Sequence, residues 1–355
     1  MSSGAGRKSF TAILLSGCMA LMAAGCAGTG GSITVPGSSG DPAGNADGGK
    51  ISVVTTIFPP YDFVREIAGN QTDVKMLLKP GEETHSYEPT PQDIIAIQDS
   101  DVFIYTGGEN DVWVEDILSS MPDSDMVTLR LVDCVDTVEE EQVEGMKGSA
   151  GHDHDEEDYG NVHGGHTDEA DGEDEEKSQH EVDEHVWTSP VNASLIAEQI
   201  KNVLSQADPD HSEMYEENTL AYQEQLSELD RQFRDVVDNA KRNIMIFGDR
   251  FPFRYFADEY GLEYYAAFPG CAGDTEPSAA TMAFLIEKVR EEKVPAVLKM
   301  ELSNDDIANA VAEATGTEVK VLYSCHNLSA DDFENGETYL SMMQKNVETL
   351  KEVLN

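Results

Sequence analysis

Basic residues are scarce in this 355-residue chain: 23 Lys and Arg stand against 69 Asp and Glu, for a formal net charge of −46. Affinity for nucleic acid comes chiefly from Lys and Arg on phosphates, so the balance argues against DNA and RNA as partners. It suits attraction of cations, or plain solubility. Long apolar runs are equally few. Residues 10–25 form one of 16 residues; a membrane span needs about 20, and no other stretch comes as close. Catalytic motifs of the H-E-x-x-H kind are lacking. That argues against a zinc hydrolase, which needs a general base beside an open metal position. Cysteine is sparse, with Cys18, Cys26, Cys134, Cys271 and Cys325 the five in the chain.

What the chain has in excess is carboxylate and imidazole, concentrated in residues 139–184. That stretch holds 19 Asp/Glu, 2 Lys and 5 His, with almost no large apolar residue. It cannot bury enough apolar surface to offset the entropy of ordering, so it is expected to be mobile. His152, His154, His163, His166 and His180 within it read as weak, fluctuating metal sites that raise the local metal concentration, because imidazole and carboxylate are the usual ligands of zinc and similar ions. A solvated linker has the same composition. The run ends at His185, which is followed by Trp187, Ser189 and Pro190, residues typical of folded protein.

Arg7 and Lys8 precede the first apolar run and Ala23-Ala24-Gly25-Cys26 closes it, the pattern of a secretory signal. Cys26 in that setting resembles the lipidated cysteine of a bacterial lipobox, and Cys18 after Leu15-Ser16-Gly17 resembles a second one. Residues 1–26 are therefore expected to be a lipoprotein signal peptide. Residues 27–50, rich in Gly, Ser, Pro and Ala, are expected to be a flexible spacer. The body would then be extracytoplasmic and lipid-anchored to a bacterial cell membrane, where disulfides are permitted. Cys271 and Cys325 lie in the same half of the chain and are the candidate pair, with Cys134 left over; sequence alone does not establish a pairing.

From residue 51 onward, short β-branched and apolar runs alternate with segments of helical periodicity. Residues 51–57, 73–78, 102–105 and 126–131 read as strands ahead of the insertion, and residues 243–247, 263–268, 296–300 and 318–323 after it. Thr90-Pro91 and Ser189-Pro190 are N-cap and first-turn pairs that open helices. The alternation predicts an α/β fold with mostly parallel sheets flanked by helices. Between the two series, Tyr215, Tyr222, Leu226, Leu229 and Phe233 recur at helical spacing, predicting one amphipathic helix of about 30 residues against a mean of about 12. Such a helix reads as a rigid strut, residues 210–242, between two lobes. The N-terminal lobe is residues 51–209, carrying the 139–184 insertion, and the C-terminal lobe is residues 243–355. Ligands of open α/β sheets bind outside the C-terminal strand ends, so a cleft between the lobes is the expected site.

His85 and His185 occupy matched positions, each in a loop that feeds a proline-started helix. Such loops converge at strand ends, and neutral imidazole is a common zinc ligand, with three or four protein ligands expected. His211, at the start of the strut, reads as a helix-start residue.

The segments ISVVTTIFPPYDFVREIAG, LLKPGEETHSYEPTPQD, HVWTSPVNA and GETYLSMMQKNVETLKE together resemble the metal-binding lipoproteins of bacterial ABC transporters for zinc or manganese, the A-I cluster of solute-binding proteins. The resemblance covers residues 51–355, including the acidic His-rich insertion associated with zinc-binding members. It implies two lobes linked by one long helix, a divalent metal between them, no catalysis, and a membrane permease as the partner of a monomeric receptor. It carries His85 and His185 over as the first two ligands. The third position, usually His or Glu, falls on Arg250. A guanidinium cannot ligate, so Asp249 turning in, or Arg250 orienting an acid, would have to compensate. The fourth position, usually Asp or Glu, aligns with His326, which would restore a three-histidine set; Cys325 is the alternative. Histidine favours Zn(II), where a carboxylate-rich site would favour Mn(II). The function implied is capture of Zn(II) in the cleft and delivery to an ABC importer. The alternatives are a manganese or iron receptor of the same family, and a metal-dependent surface adhesin or zinc buffer.

Overall fold

The computed structural model describes residues 49–82, 87–121, 124–146, 182–271 and 276–355, all within one compact unit. The region expected to be signal peptide and spacer lies outside them up to residue 48. So do His85, Cys18, Cys26 and the insertion histidines His152, His154, His163, His166 and His180.

Among the described residues, eight strands and ten α-helices alternate along the chain. The first lobe runs β1 (Ile51–Thr55), α1 (Phe58–Ala68), β2 (Thr72–Met76), α2 (Pro91–Gln98), β3 (Val102–Tyr105), α3 (Val112–Ser119) and β4 (Val127–Arg130). Then come α4 (Pro190–Ala207) and the long α5 (Ser212–Asp238). The second lobe runs β5 (Ile244–Phe251), α6 (Arg254–Tyr260), β6 (Glu263–Pro269), α7 (Ala279–Glu292), β7 (Ala296–Lys299), α8 (Asp306–Thr315), β8 (Glu318–Val321), α9 (Ala330–Glu334) and α10 (Tyr339–Val353). Each lobe has a four-stranded parallel sheet, in the orders β2-β1-β3-β4 and β6-β5-β7-β8. The two-lobe α/β architecture expected from the alternation is present.

Local chemistry explains the helix starts. Thr90 Oγ1 accepts from Asp93 N–H at 3.3 Å and Asp93 Oδ2 accepts from Thr90 N–H at 3.1 Å, a reciprocal cap on α2. Ser189 Oγ accepts from Asn192 N–H at the start of α4. In α1, Pro59 and Pro60 fall within the first turn, where a missing N–H leaves no intrahelical bond unmade. The helix therefore begins at Phe58, three residues before the Tyr61 start that its apolar spacing suggests.

Period-two alternation sorts each sheet's side chains between two cores. In β1, Val53 joins the cluster that runs through both lobes, while Val54 joins a separate cluster with Phe103, Ile97 and Val114. In β5, Met245 and Phe247 join the shared cluster, while Ile244 and Ile246 pack with Leu285, Val297 and Val311. Both sheets are thus covered on both faces, as parallel sheets are. The shared core includes Trp187, Tyr222, Phe233, Phe256 and Tyr339, so α5 is a strut buried along one stripe. At 1.5 Å per residue its 27 residues extend about 40 Å. The closing helix α10 packs along α5, and its Tyr339 N–H donates to the buried Asp62 of α1 at 2.8 Å.

Two expectations need correction. The ends of the 139–184 stretch belong to the folded body. Glu139 forms an antiparallel bridge with Val182, Met146 is buried, and Glu141 accepts from Tyr264 Oη at 3.2 Å. The pieces described there supply Val143 and Met146 to the shared core, which offsets the polarity of the flanking glutamates. The Cys271–Cys325 disulfide is not formed: Cys134, Cys271 and Cys325 are free thiols. Cys325 is sealed in the shared core, its Sγ directed at Tyr323 O 3.9 Å away, whereas Cys271 follows β6 beside Glu140 and Glu184.

Candidate metal centre

His185 sits at the entry of a single 3-10 turn, Val186–Thr188, that leads through Ser189 into α4. The turn pins Trp187 between the lobes, where its Nε1–H donates to Ser324 O at 2.9 Å and its own carbonyl accepts from Tyr339 Oη at 2.7 Å. His185 is thereby held fully buried. Asp183 Oδ1 accepts from both His185 N–H, at 2.8 Å, and Nδ1, at 2.9 Å. That carboxylate selects the Nδ1–H tautomer and leaves the ring's lone pair at Nε2, the arrangement by which outer carboxylates orient metal-ligating imidazoles. Burial pulls the His185 pKa down, but the Asp183 charge and hydrogen bond, with Glu184 and Glu140, outweigh it and the net shift is upward.

His326 approaches from the second lobe. Its ring centroid lies 5.3 Å from that of His185 and 4.9 Å from that of Trp187. What aims it is Glu301, at the C-terminal end of β7. One Glu301 oxygen accepts from Cys325 N–H at 2.9 Å and Ser324 Oγ at 3.0 Å, and the other from Ser324 N–H at 2.8 Å. Cys325 is left-handed, at φ 59°, a conformation strained for a non-glycine residue. The half-buried carboxylate thus clamps the turn that swings His326 inward. Burial raises the Glu301 pKa to about 7, against the lowering effect of the Ser324 and Cys325 donors.

The two histidines line a cavity of about 30 Å³ together with Glu82, Arg250, Glu301 and Ser324. That is room for an ion or one or two waters. The lobes are tied around it: Asn327 Nδ2 donates to Lys79 O and Glu82 O, at 2.8 and 2.9 Å, and Gly81 N–H donates to Leu328 O at 2.8 Å.

The remaining site residues expected from the sequence fall as follows. Arg250 lines the cavity at the end of β5, where a register shift between Phe247 and Arg250 extends the strand. Asp249 does not turn in. Its oxygens accept from Met300 N–H at 2.8 Å, from Ser303 Oγ and from Arg250 N–H at 2.8 Å, so it braces the loop after β7. Cys325 is not in the cavity wall but in the apolar core. His211 precedes α5, its Nδ1 2.7 Å from Asp208 Oδ2.

Sequence reasoning missed three participants: Glu301, whose only signal is its place at a strand's C-terminal end, and the pair Glu184 and Cys271, which flank His185. A His185 ring nitrogen, Cys271 Sγ and a Glu184 oxygen all lie within 4.8 Å of one another. Nothing in local pattern marks Cys271 as a neighbour of a residue 86 positions earlier, which follows from 271 minus 185.

Comparison with known proteins places the chain in a family. The profile of the family described as "Zinc-uptake complex component A periplasmic" matches residues 53–353. The zinc-binding lipoprotein AdcA of Streptococcus pneumoniae is 33% identical over 305 residues, which are 86% of this chain and 56% of AdcA. This chain therefore spans little more than half the length of that relative. The high-affinity zinc uptake system protein ZnuA of Bacillus subtilis is 33% identical over 319 residues, 88% of this chain and 90% of that protein. The crystal structure of the Zn(II)-bound ZnuA-like domain of S. pneumoniae AdcA superposes with a TM-score of 0.67 at 29% identity, covering 86% of this chain and 99% of that domain. The chain belongs to the family of periplasmic component A of zinc-uptake complexes.

Proposed function

We propose that this protein is an extracytoplasmic receptor that captures Zn(II) in the cavity between its lobes and delivers it to an ABC importer. The observation that carries the reading is the pairing of His185, its tautomer set by Asp183, with His326 across a cavity of ion size. Its relatives' zinc-binding names support the choice of metal. His185 and His326 are the ligands from the described residues, and His85 is the third. The donors are nitrogen-rich, which favours zinc over manganese. The role is binding and release. The permease of the importer is the partner, with the body acting as a monomer. A lipid on Cys26 holds it at the membrane, residues 27–50 form the spacer, and the insertion histidines collect ions nearby. The lobes are residues 51–209 and 243–355, joined by the 210–242 helix. No helix among the described residues is long and apolar enough to cross a membrane.

Calorimetric titration with Zn(II) tests the reading. One tight site is expected, weakened about a hundredfold or more in His185→Ala, because losing a ligand exceeds the roughly 10- to 100-fold effect of outer-shell changes. Tight binding that survives both His185→Ala and His326→Ala would refute it.

A further inference from the structure

We infer that Glu184, His185 and Cys271 form an alternative donor set, competing with the cleft set for the one imidazole lone pair, a mixed nitrogen, oxygen and sulfur site for a divalent cation of the Zn(II) class. Their ligand atoms lie within 4.8 Å of one another. Ligands at about 2.0–2.3 Å from a tetrahedral zinc are roughly 3.5 Å apart, so side-chain shifts of about an ångström close the set. A thiolate donor favours zinc over manganese or magnesium.

The surroundings are those of a built site. Glu184 and His185 are 1% and 0% exposed, while Cys271 is partly exposed and offers the way in. Each donor is held from behind. Asn110 Nδ2 donates to Glu184 Oε1, Asp183 grips the His185 ring, and Cys271 N–H donates to Glu140 Oε1 at 2.8 Å. Gly270 keeps the approach clear, since a Cβ there would come within 3.3 Å of His185 Cε1 and 3.0 Å of Phe251 O. Glu184 and His185 come from the segment before α4, and Cys271 from the loop after β6, so an ion bound here links the two lobes.

The cavity wall shared with His326 carries the Arg250 guanidinium, which repels a dication, beside the Glu82 and Glu301 carboxylates, which attract one. The Glu184–Cys271 side supplies a carboxylate and, once the metal displaces the thiol proton to solvent, a thiolate, which together neutralise two positive charges. The inference rests on His185 being a metal ligand, the premise it shares with the cleft reading. It assigns to Glu184 and Cys271 the coordination that Arg250 cannot provide.

Co(II) titration of the full chain is the test. An intense thiolate-to-cobalt charge-transfer band in the near ultraviolet is expected in the wild type and in Cys134→Ser, and is lost in Cys271→Ser. Zn(II) affinity, measured by competition with a chromophoric chelator, falls by about a hundredfold or more in Cys271→Ser and by about tenfold or more in Glu184→Gln. Cys271→Ala, checked for an unchanged metal-free thermal midpoint, separates loss of a ligand from loss of fold and gives the same spectrum as Cys271→Ser. Bound Co(II) without that band, or with a band that survives Cys271→Ser, overturns this assignment and leaves the His185–His326 reading standing. A wild-type chain that binds neither Co(II) nor Zn(II) overturns both.

Discussion

The two walls of the cavity are both backed by carboxylates, and they employ them in opposite ways. On the wall that leads into α4, one Asp183 oxygen grips the backbone and the ring of His185, and Glu184 stands next to it. On the wall built from the strand ends of the second lobe, Asp249 and Glu301 accept from the backbone N–H groups of Met300, Ser324 and Cys325. The first arrangement tunes a donor; the second holds loops. Residue type does not separate the two, because all four are acids, three of them buried and Glu301 half-buried. The partner does: amide and hydroxyl donors fix Asp249 and Glu301 as braces, while the imidazole among its donors makes Asp183 a setter of tautomer and charge.

Asp62 gives the largest expected effect and extends the comparison to a carboxylate with too few partners. Its Oδ2 accepts from Tyr339 N–H, its Oδ1 has no hydrogen-bond partner among the described residues, and burial raises its pKa to about 7. A carboxyl with a folded pKa above its unfolded value holds its proton more tightly when folded. Stability is therefore fullest below about pH 4 and lost as pH rises towards about 7, by roughly 4 kcal/mol for three pKa units. Asp62→Asn should remove that slope, read as the difference in urea midpoints between the variant and the wild type across this range. Equal slopes would mean that Asp62 is charged at no cost in the folded state.

Asp183→Asn should weaken Zn(II) binding by about 10- to 100-fold in calorimetry with little change in metal-free stability, since it disturbs only the orientation and basicity of His185. Asp249→Ala should do the reverse. It leaves the Met300 N–H without its buried acceptor and should lower unfolding free energy by about 1–3 kcal/mol in denaturant titration, with a smaller effect on zinc than Asp183→Asn. If Asp249→Ala proved the more damaging to zinc binding, the division of the walls into donor-tuning and bracing would fail. Thr90→Ala, far from either wall, should remove only the α2 cap, at about 1 kcal/mol in the same titration.

The alternating segments determined the fold class because strand and helix periodicities, proline-started caps and the α5 stripe are local properties of a few neighbouring residues. The same is true of His185, conspicuous ahead of a capped helix and brought to the cavity by the turn that follows it. Tertiary structure alone decided which acids serve which purpose. Asp249 meets Met300, Glu301 meets Ser324 and Cys325, and Cys271 reaches His185, all across long stretches of chain. The ends of the His/acid stretch behaved likewise: Glu139, Glu140 and Glu141 look like solvated charge in sequence, yet each is placed by a bridge, an amide or a tyrosine of the folded body. Hydrogen bonds and coordination depend on which donors meet in space, and the fold brings together donors that the order of residues keeps apart.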